Sequence, residues 1–437
     1  FERLRRPPAS YERGAVPNRA SFFVAMKGKR MRYGERKHHI ICLSSQNWDE
    51  VMWTNKQHIM SRLADDGHHV VHVDYGTRSL PRYLKYRFDH APKDLLDPVS
   101  ALTDGVVRRG ESLYVGTHYA PPSALRGPRG SASRDFFEHD LKVRFLQQHL
   151  KTLPELPIVW VYHPAMGDAA LKMERSLLVY DCVDDYQAFP LYKDARWLIE
   201  REERLCRQAD LVFTTAPRLY ELKQHLNPGN THLVHNVGDA DHFEKARDPD
   251  LAIAPELLEI KERGPVIGFV GAVSNYKLNM DWIQHAASVR PGMQFVLIGP
   301  VGLADPGTDV DRLSRMPNVH LLGSRDYADL PKYMKGFDVT VIPYRINQYT
   351  ESVFPIKFFE SLATGKPLVI SRLPALEEFW EDALVADDED GFVRRCEEAL
   401  ELGERGDAQR VALAREYSWP KRISKIMDHI EATGISK

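Results

Sequence analysis

The chain has 437 residues, a length that favours two domains over a single hydrophobic core. Its formal net charge of −2 excludes the strongly basic composition of a protein that binds nucleic acid over its whole surface. No apolar run approaches the roughly 18 residues of a membrane span, and the first residues lack a signal-peptide core. We therefore expect a cytoplasmic protein, including one that works at the inner face of the membrane.

The four cysteines have neither metal-ligand nor redox spacing: Cys42, Cys182, Cys206 and Cys396. Each lies within an apolar segment, so we expect reduced, buried thiols.

Residues 1–37 differ from the rest of the chain in charge. They contain 11 Lys or Arg and 3 Glu, a net charge of +8, which leaves −10 for the remaining residues. They are also rich in Pro, Gly and Ser without a helical or strand period, which predicts a flexible arm. Such an arm would be attracted to an anionic membrane surface or an acidic partner. The alternative is an extension without function.

The first regular elements form a βαβ pattern. Residues 38–45 and 69–74 are apolar strands, and residues 49–64 between them have helical spacing. This arrangement opens a doubly wound parallel sheet, whose ligands bind at the carboxyl edge of the strands. The loop at that edge offers polar and aromatic residues suited to an acceptor: Asn47, Trp48 and Asp49. The alternative is that Asp49 is a helix N-cap and Trp48 a packing residue.

Four further strands are predicted in the first half, at residues 157–162, 177–180, 211–215 and 231–235. An acidic cluster follows the second of them: Asp181, Asp184 and Asp185. Carboxylates at a strand end can orient a hydroxyl or act as a general base. Capping of the following helix is the alternative interpretation.

The second half repeats the alternation of strands and helices after a charged, proline-punctuated segment at residues 239–264. Strands are predicted at residues 265–270, 294–298, 319–322 and 339–343. Residues 350–369 then read as a loop, a short helix ended by Gly365, and a buried strand. Ser352 is a candidate N-cap for that helix, whose unpaired N–H groups would suit a phosphate. Lys357 and Glu360 follow in its first turns.

Residues 350–369 resemble the nucleotide-sugar signature of GT-B glycosyltransferases, especially the family-4-like group (glycosyl transferases group 1). In that group two Glu residues, separated by seven others, precede a Gly-Lys-Pro run. Glu360 and residues 365–367 match the second half of the signature. Ser352 stands where the first Glu is expected, so the chain carries a P-x-K-x-x-E variant that begins at Pro355.

The resemblance implies that the second domain binds a nucleoside-diphosphate sugar, first a UDP-sugar and next a GDP-sugar. Lys277 matches a phosphate-binding Lys of the family, and Ala272 replaces its Arg, so that Lys357 would supply the missing charge. Glu360 would hold the ribose. The donor-binding residues so implied are Gly271, Lys277, Gly299, Leu322, Arg325, Ser352, Val353, Phe354, Lys357 and Glu360.

Family members also carry a His or a carboxylate at a strand end of the first domain, facing the donor sugar. His163 lies at that place, with Tyr162 as the alternative one residue earlier. The candidate catalytic residues are therefore His163, Asp181, Asp184 and Asp185. The resemblance implies no metal ion and no cofactor beyond the nucleotide sugar itself.

The resemblance implies an α/β protein of the GT-B fold, in which two Rossmann-like domains face each other across a cleft. We assign residues 1–37 to the basic arm, 38–245 to an acceptor domain, 246–415 to a donor domain, and 416–437 to a helix that packs back on the first domain. The implied partners are the nucleotide sugar and a hydroxyl acceptor such as a glycan, a lipid-linked sugar or a secondary metabolite. We expect a monomer or homodimer that does not bind nucleic acid.

The implied reaction is sugar transfer with retention of anomeric configuration. Three alternatives stay open. They are an inverting transferase with an aspartate base, a nucleotide-sugar epimerase, and a catalytically silent sugar-nucleotide-binding subunit.

Overall fold

A computed structural model describes residues 32–34, 36–50, 53–76, 80–90, 105–117, 143, 146, 149–189, 192, 196–303, 305 and 307–434. The predicted basic arm lies almost entirely outside these residues. Among the helices in the described ranges, none is long and apolar enough to cross a membrane.

The first half of the chain forms a sheet of eight strands. They are β1 His39–Leu43, β2 His69–Val73, β3 Val106–Arg108, β4 Leu113–Gly116, β5 Ile158–Val161, β6 Leu177–Cys182, β7 Leu211–Thr214 and β8 Thr231–Leu233. Their order is β3-β4-β2-β1-β5-β6-β7-β8, and every pair is parallel except β3 with β4. The helices of this half are Asn55–Asp65, Leu80–His90, Gly167–Leu171, Arg196–Gln208 and Pro217–Gln224.

The second half forms a separate, six-stranded parallel sheet. Its strands are β9 Val266–Val270, β10 Gln294–Ile298, β11 Val319–Gly323, β12 Val339–Ile342, β13 Leu368–Ser371 and β14 Leu384–Ala386. Their order is β11-β10-β9-β12-β13-β14. The helices are Ala240–Phe243, Pro255–Lys261, Met280–Val289, Asp311–Ser314, Leu330–Gly336, Gln348–Glu351, Lys357–Ala363, Glu389–Leu402, Asp407–Glu416 and Trp419–Ala432.

Continuous apolar runs explain why both sheets are central and, apart from the β3–β4 pair, parallel. Residues 40–43 of β1 and residues 158–161 of β5 have no exposed surface, because helices cover both faces of the sheet. The sequence therefore predicts the buried central strands, whereas β3, β4 and β14 were not predicted. With loops following the carboxyl ends of the strands, each sheet has one edge suited to ligands.

The helix Asn55–Asp65, here the first helix, begins later than predicted. We expected it to start at Asp49, but Thr54 is its N-cap, and the Gln57 side chain accepts a hydrogen bond from the Thr54 N–H at 3.2 Å. Asp49 instead forms an ion pair with Arg109 at 2.9 Å. The alternative role of Asp49 as N-cap is therefore wrong.

The helix Trp419–Ala432, here the closing helix, packs against the first half of the chain. The Trp419 ring stacks on His58 of the first helix with centroids 4.7 Å apart. Arg422 donates to the carbonyl of His235 at 3.0 Å and contacts Asp181 at 3.4 Å. The last helix thus ties the end of the chain to strands that precede the second sheet.

Candidate functional site

The signature stretch folds differently from the prediction at its start. Ser352 ends the short helix Gln348–Glu351, whose N-cap is Asn347. The next helix, Lys357–Ala363, begins at Lys357 and is here called the signature helix. The predicted helix N-terminus at residues 352–354 is therefore wrong, and the phosphate-binding role that depended on it does not apply to Ser352.

Two lysines and a glycine meet beside the signature helix. A Cβ atom on Gly271 would lie 2.5 Å from Cε of Lys357, so the side chain of Lys357 runs against the backbone that follows β9. Burial lowers the pKa of Lys277 to about 8, with Asp184 opposing the shift and Lys357 adding to it. The two ammonium groups thus influence each other, and an anion beside them would offset the repulsion between their charges.

The loop after β10 lies directly against this glycine. Gly299 has φ +146°, and a Cβ there would lie 1.9 Å from the Gly271 carbonyl oxygen. Only residues without a Cβ allow the two loops to approach so closely. The structure therefore brings together Gly271, Lys277, Gly299 and Lys357, which the sequence predicted on the donor side.

Glu360 lies one turn further along the signature helix. It is 6% exposed, and its carboxylate is 3.9 Å from the Lys357 ammonium. Burial raises the pKa of Glu360, Lys357 opposes this shift, and Asp239 adds to it. A Cβ on Gly238 would lie 2.7 Å from the Glu360 backbone nitrogen, so the chain after β8 packs on the signature helix at this point.

Asp184 joins the first half of the chain to this group. Its carboxylate accepts a hydrogen bond from the Tyr349 hydroxyl at 3.2 Å. Burial raises the pKa of Asp184, and the charges of Lys56 and Lys277 oppose that shift. Asp184 is thus a carboxylate of the first half that faces cations from both halves.

The other two members of the acidic cluster have different partners. Asp181 is fully buried and paired with Arg422 of the closing helix. Asp185 is the N-cap of the 3₁₀ turn Tyr186–Ala188 and accepts from the Gln187 N–H at 3.2 Å. Asp185 therefore has the capping role that was the alternative interpretation. Asp181 forms an ion pair that connects β6 to the closing helix.

His163 lies at the end of β5 in an aromatic environment. It is 3% exposed, and its ring centroid is 4.3 Å from that of Tyr186 and 4.9 Å from that of Tyr75. Its Nδ1 accepts from the Ala165 N–H at 3.1 Å, which places the proton of the neutral ring on Nε2. His163 therefore caps the turn Pro164–Met166.

The remaining predicted donor residues have contacts of their own. Arg325 binds Glu256 at 2.9 Å and donates hydrogen bonds to the Tyr333 hydroxyl at 2.8 Å and to the Leu322 carbonyl. These contacts occupy its guanidinium beside the edge strand β11. Val353 and Phe354 are buried, and the Phe354 carbonyl accepts from Asn236 at 2.8 Å.

The predicted acceptor loop is held by hydrogen bonds to the residues that follow β2, among them the one from the Trp48 N–H to Asp74 at 2.8 Å. Trp48 is 2% exposed and packs on Trp53 and His72, so its ring belongs to the core rather than to a binding surface. Asn47 accepts from the Gly76 N–H at 2.9 Å. Trp48 as an acceptor-binding ring is therefore wrong, because the packing alternative describes it.

Two residues of the site were not identified from the sequence. Tyr349 contacts Asp184, and its ring centroid is 5.6 Å from the Lys277 ammonium. Lys56, in the first turn of the first helix, is 4% exposed and influences Asp184. The sequence does not distinguish a buried lysine at a helix start from a solvent-exposed one.

Within the described ranges, no group of three or more His, Cys, Asp or Glu side chains could hold a metal ion.

Comparison with known proteins decides the family. A profile described as "Glycosyl transferases group 1" matches residues 264–402. The putative teichuronic acid biosynthesis glycosyltransferase TuaH of Bacillus subtilis (strain 168) is 30% identical over 296 residues, which cover 64% of this chain and 72% of that protein. The chain belongs to the group 1 glycosyltransferases.

Solved structures show the GT-B fold of this glycosyltransferase. Sucrose-phosphate synthase from Thermosynechococcus elongatus has a TM-score of 0.64 and 17% identity, over 90% of this chain and 98% of that one. Anabaena HepE in complex with UDP has a TM-score of 0.60 and 13% identity, over 91% and 100%. The two parallel α/β sheets and the expected fold class are thus confirmed.

In a glycosyltransferase of this group, the two lysines suit the leaving group of the donor, and Asp184 suits a sugar hydroxyl. Lys277 and Lys357 lie where β9 and the signature helix meet, and can stabilise the negative charge of a departing diphosphate. Asp184 of the first half acts on the charge of Lys277 and can accept a hydrogen bond from a sugar hydroxyl. The site can therefore hold a charged donor on one side and hydroxyl groups on the other.

Proposed function

We propose that this group 1 glycosyltransferase transfers a sugar from a UDP-sugar to the hydroxyl of a growing cell-surface polysaccharide. The observation that carries the proposal is that Lys357 packs against Gly271 and acts on the charge of Lys277, on which Asp184 of the first half also acts. The relative TuaH, named for teichuronic acid biosynthesis, supports the acceptor class, and the HepE complex with UDP supports the nucleoside. A GDP-sugar is the next candidate.

In this proposal Lys277 and Lys357 bind the diphosphate and stabilise its charge as the glycosidic bond breaks. Glu360 accepts hydrogen bonds from the ribose hydroxyls, which gives a role to a buried carboxylate 3.9 Å from the Lys357 ammonium. The two lysines supply the charge that a metal ion supplies in other sites, so the reaction proceeds without one. The acceptor hydroxyl approaches from the first half, on the side of Asp184.

Retention of configuration is the first expectation, and inversion is the second candidate. One observation favours inversion: Asp184 is the carboxylate that faces the cations, and burial raises its pKa, as suits a general base. In an inverting reaction Asp184 would take the proton of the acceptor hydroxyl. In a retaining reaction it would only orient a hydroxyl.

The test is turnover of a panel of UDP- and GDP-sugars with teichuronic-acid-type oligosaccharide acceptors, in the presence of EDTA. We expect acceptor-dependent release of UDP, loss of that release in Lys277→Met, and normal release in the surface control Lys425→Met. NMR of the product then gives the anomeric configuration. Isomerisation of the donor without an acceptor would instead identify an epimerase, and diphosphate binding without turnover a silent subunit.

A further inference from the structure

Lys56 is a buried lysine whose ammonium contacts an aromatic ring but no hydrogen-bond acceptor of the described residues. It is 4% exposed, and its ammonium lies 5.5 Å from the ring centroid of Tyr162. Among the described residues, no acceptor makes a hydrogen bond to this ammonium and no carboxylate lies within 4 Å of it. The side chain of Lys56 is buried while its ammonium is not among the fully enclosed polar atoms, so a ligand can reach the ammonium and supply the hydrogen-bond acceptor.

The carboxylates near Lys56 are unequal. Asp181 and Asp184 both act on its charge, but Asp181 already contacts Arg422. Within the part of the chain that the structure describes, the Asp184 carboxylate has a single hydrogen bond, from the Tyr349 hydroxyl, and no cation within 4 Å. Lys56 and Asp184 therefore face each other as a donor and an acceptor whose hydrogen-bonding capacity is largely unused.

The position of this pair relative to Lys277 identifies the group between them. Lys277 acts on Asp184 from the second half of the chain, and it binds the diphosphate in the proposed function. The donor's sugar is bonded directly to that diphosphate. The Lys277 ammonium lies 5.6 Å from the Tyr349 ring centroid, and the Tyr349 hydroxyl donates to Asp184 at 3.2 Å. Asp184 in turn acts on Lys56, so a sugar bonded to a diphosphate at Lys277 lies near both residues.

We propose that Lys56 and Asp184 together bind the sugar of the nucleotide-sugar donor, an inference that rests on the proposed function. The Lys56 ammonium donates to a ring hydroxyl oxygen, and the Asp184 carboxylate accepts a hydrogen bond from a hydroxyl of the same sugar. A sugar hydroxyl can both donate and accept a hydrogen bond, so one sugar can bind an ammonium and a carboxylate at the same time. Lys56 is thus a binding residue for the transferred group, and the diphosphate does not depend on it.

The test compares UDP with UDP-sugars in calorimetric titrations at fixed pH. The probes are UDP, UDP-glucose, UDP-galactose, UDP-glucuronate and UDP-N-acetylglucosamine, titrated into wild type, Lys56→Met, Lys56→Arg and the surface control Lys425→Met. We expect Lys56→Met to bind UDP within about twofold of wild type. It should bind the UDP-sugar that wild type prefers about 10- to 100-fold more weakly, the effect of losing a charged hydrogen bond.

Lys56→Arg keeps the charge and should recover part of the lost affinity, whereas a purely packing role would give no such rescue. Equal weakening of UDP and UDP-sugar in Lys56→Met would overturn the inference, and so would unchanged affinity for every UDP-sugar. Thermal unfolding of each variant separates loss of fold from loss of contact. If wild type binds none of the five probes, the UDP-sugar donor of the proposed function is wrong. That result differs from a loss of binding in Lys56→Met alone.

Discussion

At the scale of single residues, the site depends on how burial changes the charge of its lysines. Lys277 is surrounded by the rings of Tyr344 and Tyr349, at 5.4 and 5.6 Å from their centroids, and has no salt bridge within 4 Å among the described residues. Burial lowers its pKa to about 8. Its charge therefore changes within an experimentally accessible pH range, unlike that of an exposed lysine.

This shift predicts the pH dependence of diphosphate binding. The free ammonium is present below pH 8 and is lost as the pH rises through that value, while a bound diphosphate favours the protonated form. UDP affinity should be flat from pH 6.5 to 7.5 and about tenfold weaker at pH 9. Calorimetric titration of UDP across this pH range measures the change in affinity. The control Lys277→Met should bind UDP weakly at every pH, without the decrease at pH 9. A flat wild-type profile up to pH 9 would show that Lys277 does not contact the diphosphate.

At the scale of elements, the signature stretch shows what sequence alone could and could not predict. Its strand, its glycine stop and the nearness of Lys357 and Glu360 follow from residue type and spacing. The helix start does not, because Asn347 caps a separate short helix and receives the hydrogen bonds that were expected at Ser352. A cap is chosen by competition between neighbouring polar residues, and the sequence offers several candidates within six positions.

The closing helix depends on one buried ion pair. Arg422 and Asp181 are both fully buried, and Arg422 also donates to the His235 carbonyl. Arg422→Met leaves Asp181 buried without its cation, so we expect a loss of about 3–5 kcal/mol in the free energy of unfolding. Urea denaturation measures this loss.

A matched control comes from the neighbouring residue. Lys421 forms an exposed ion pair with Glu416, so Lys421→Met should change the free energy of unfolding by no more than about 0.5 kcal/mol. If Arg422→Met were as mild as this control, the closing helix would not be held by the pair.

At the scale of the whole molecule, contacts between the two halves build the site. Asn236 links Asn55 of the first helix to the carbonyl of Phe354, and Tyr349 reaches Asp184. The sequence predicted both sheets from their apolar runs, and it predicted the donor lysines from a resemblance. It did not predict Lys56 or Tyr349, because a contact between distant segments has no local pattern. The same limitation explains why Trp48 was assigned to a surface that its packing excludes.

The measurement that tests the central claim most directly is calorimetric titration of UDP and GDP into wild type, Glu360→Ala and Glu377→Ala. Glu360 is buried beside Lys357, whereas Glu377 is exposed and serves as the matched control. We predict that wild type binds UDP and that Glu360→Ala binds it about tenfold or more weakly, the effect of losing hydrogen bonds to a carboxylate. Glu377→Ala should bind as wild type does. Absence of binding to either diphosphate, or equal affinity in all three proteins, would contradict a nucleotide site formed by Lys277, Lys357 and Glu360.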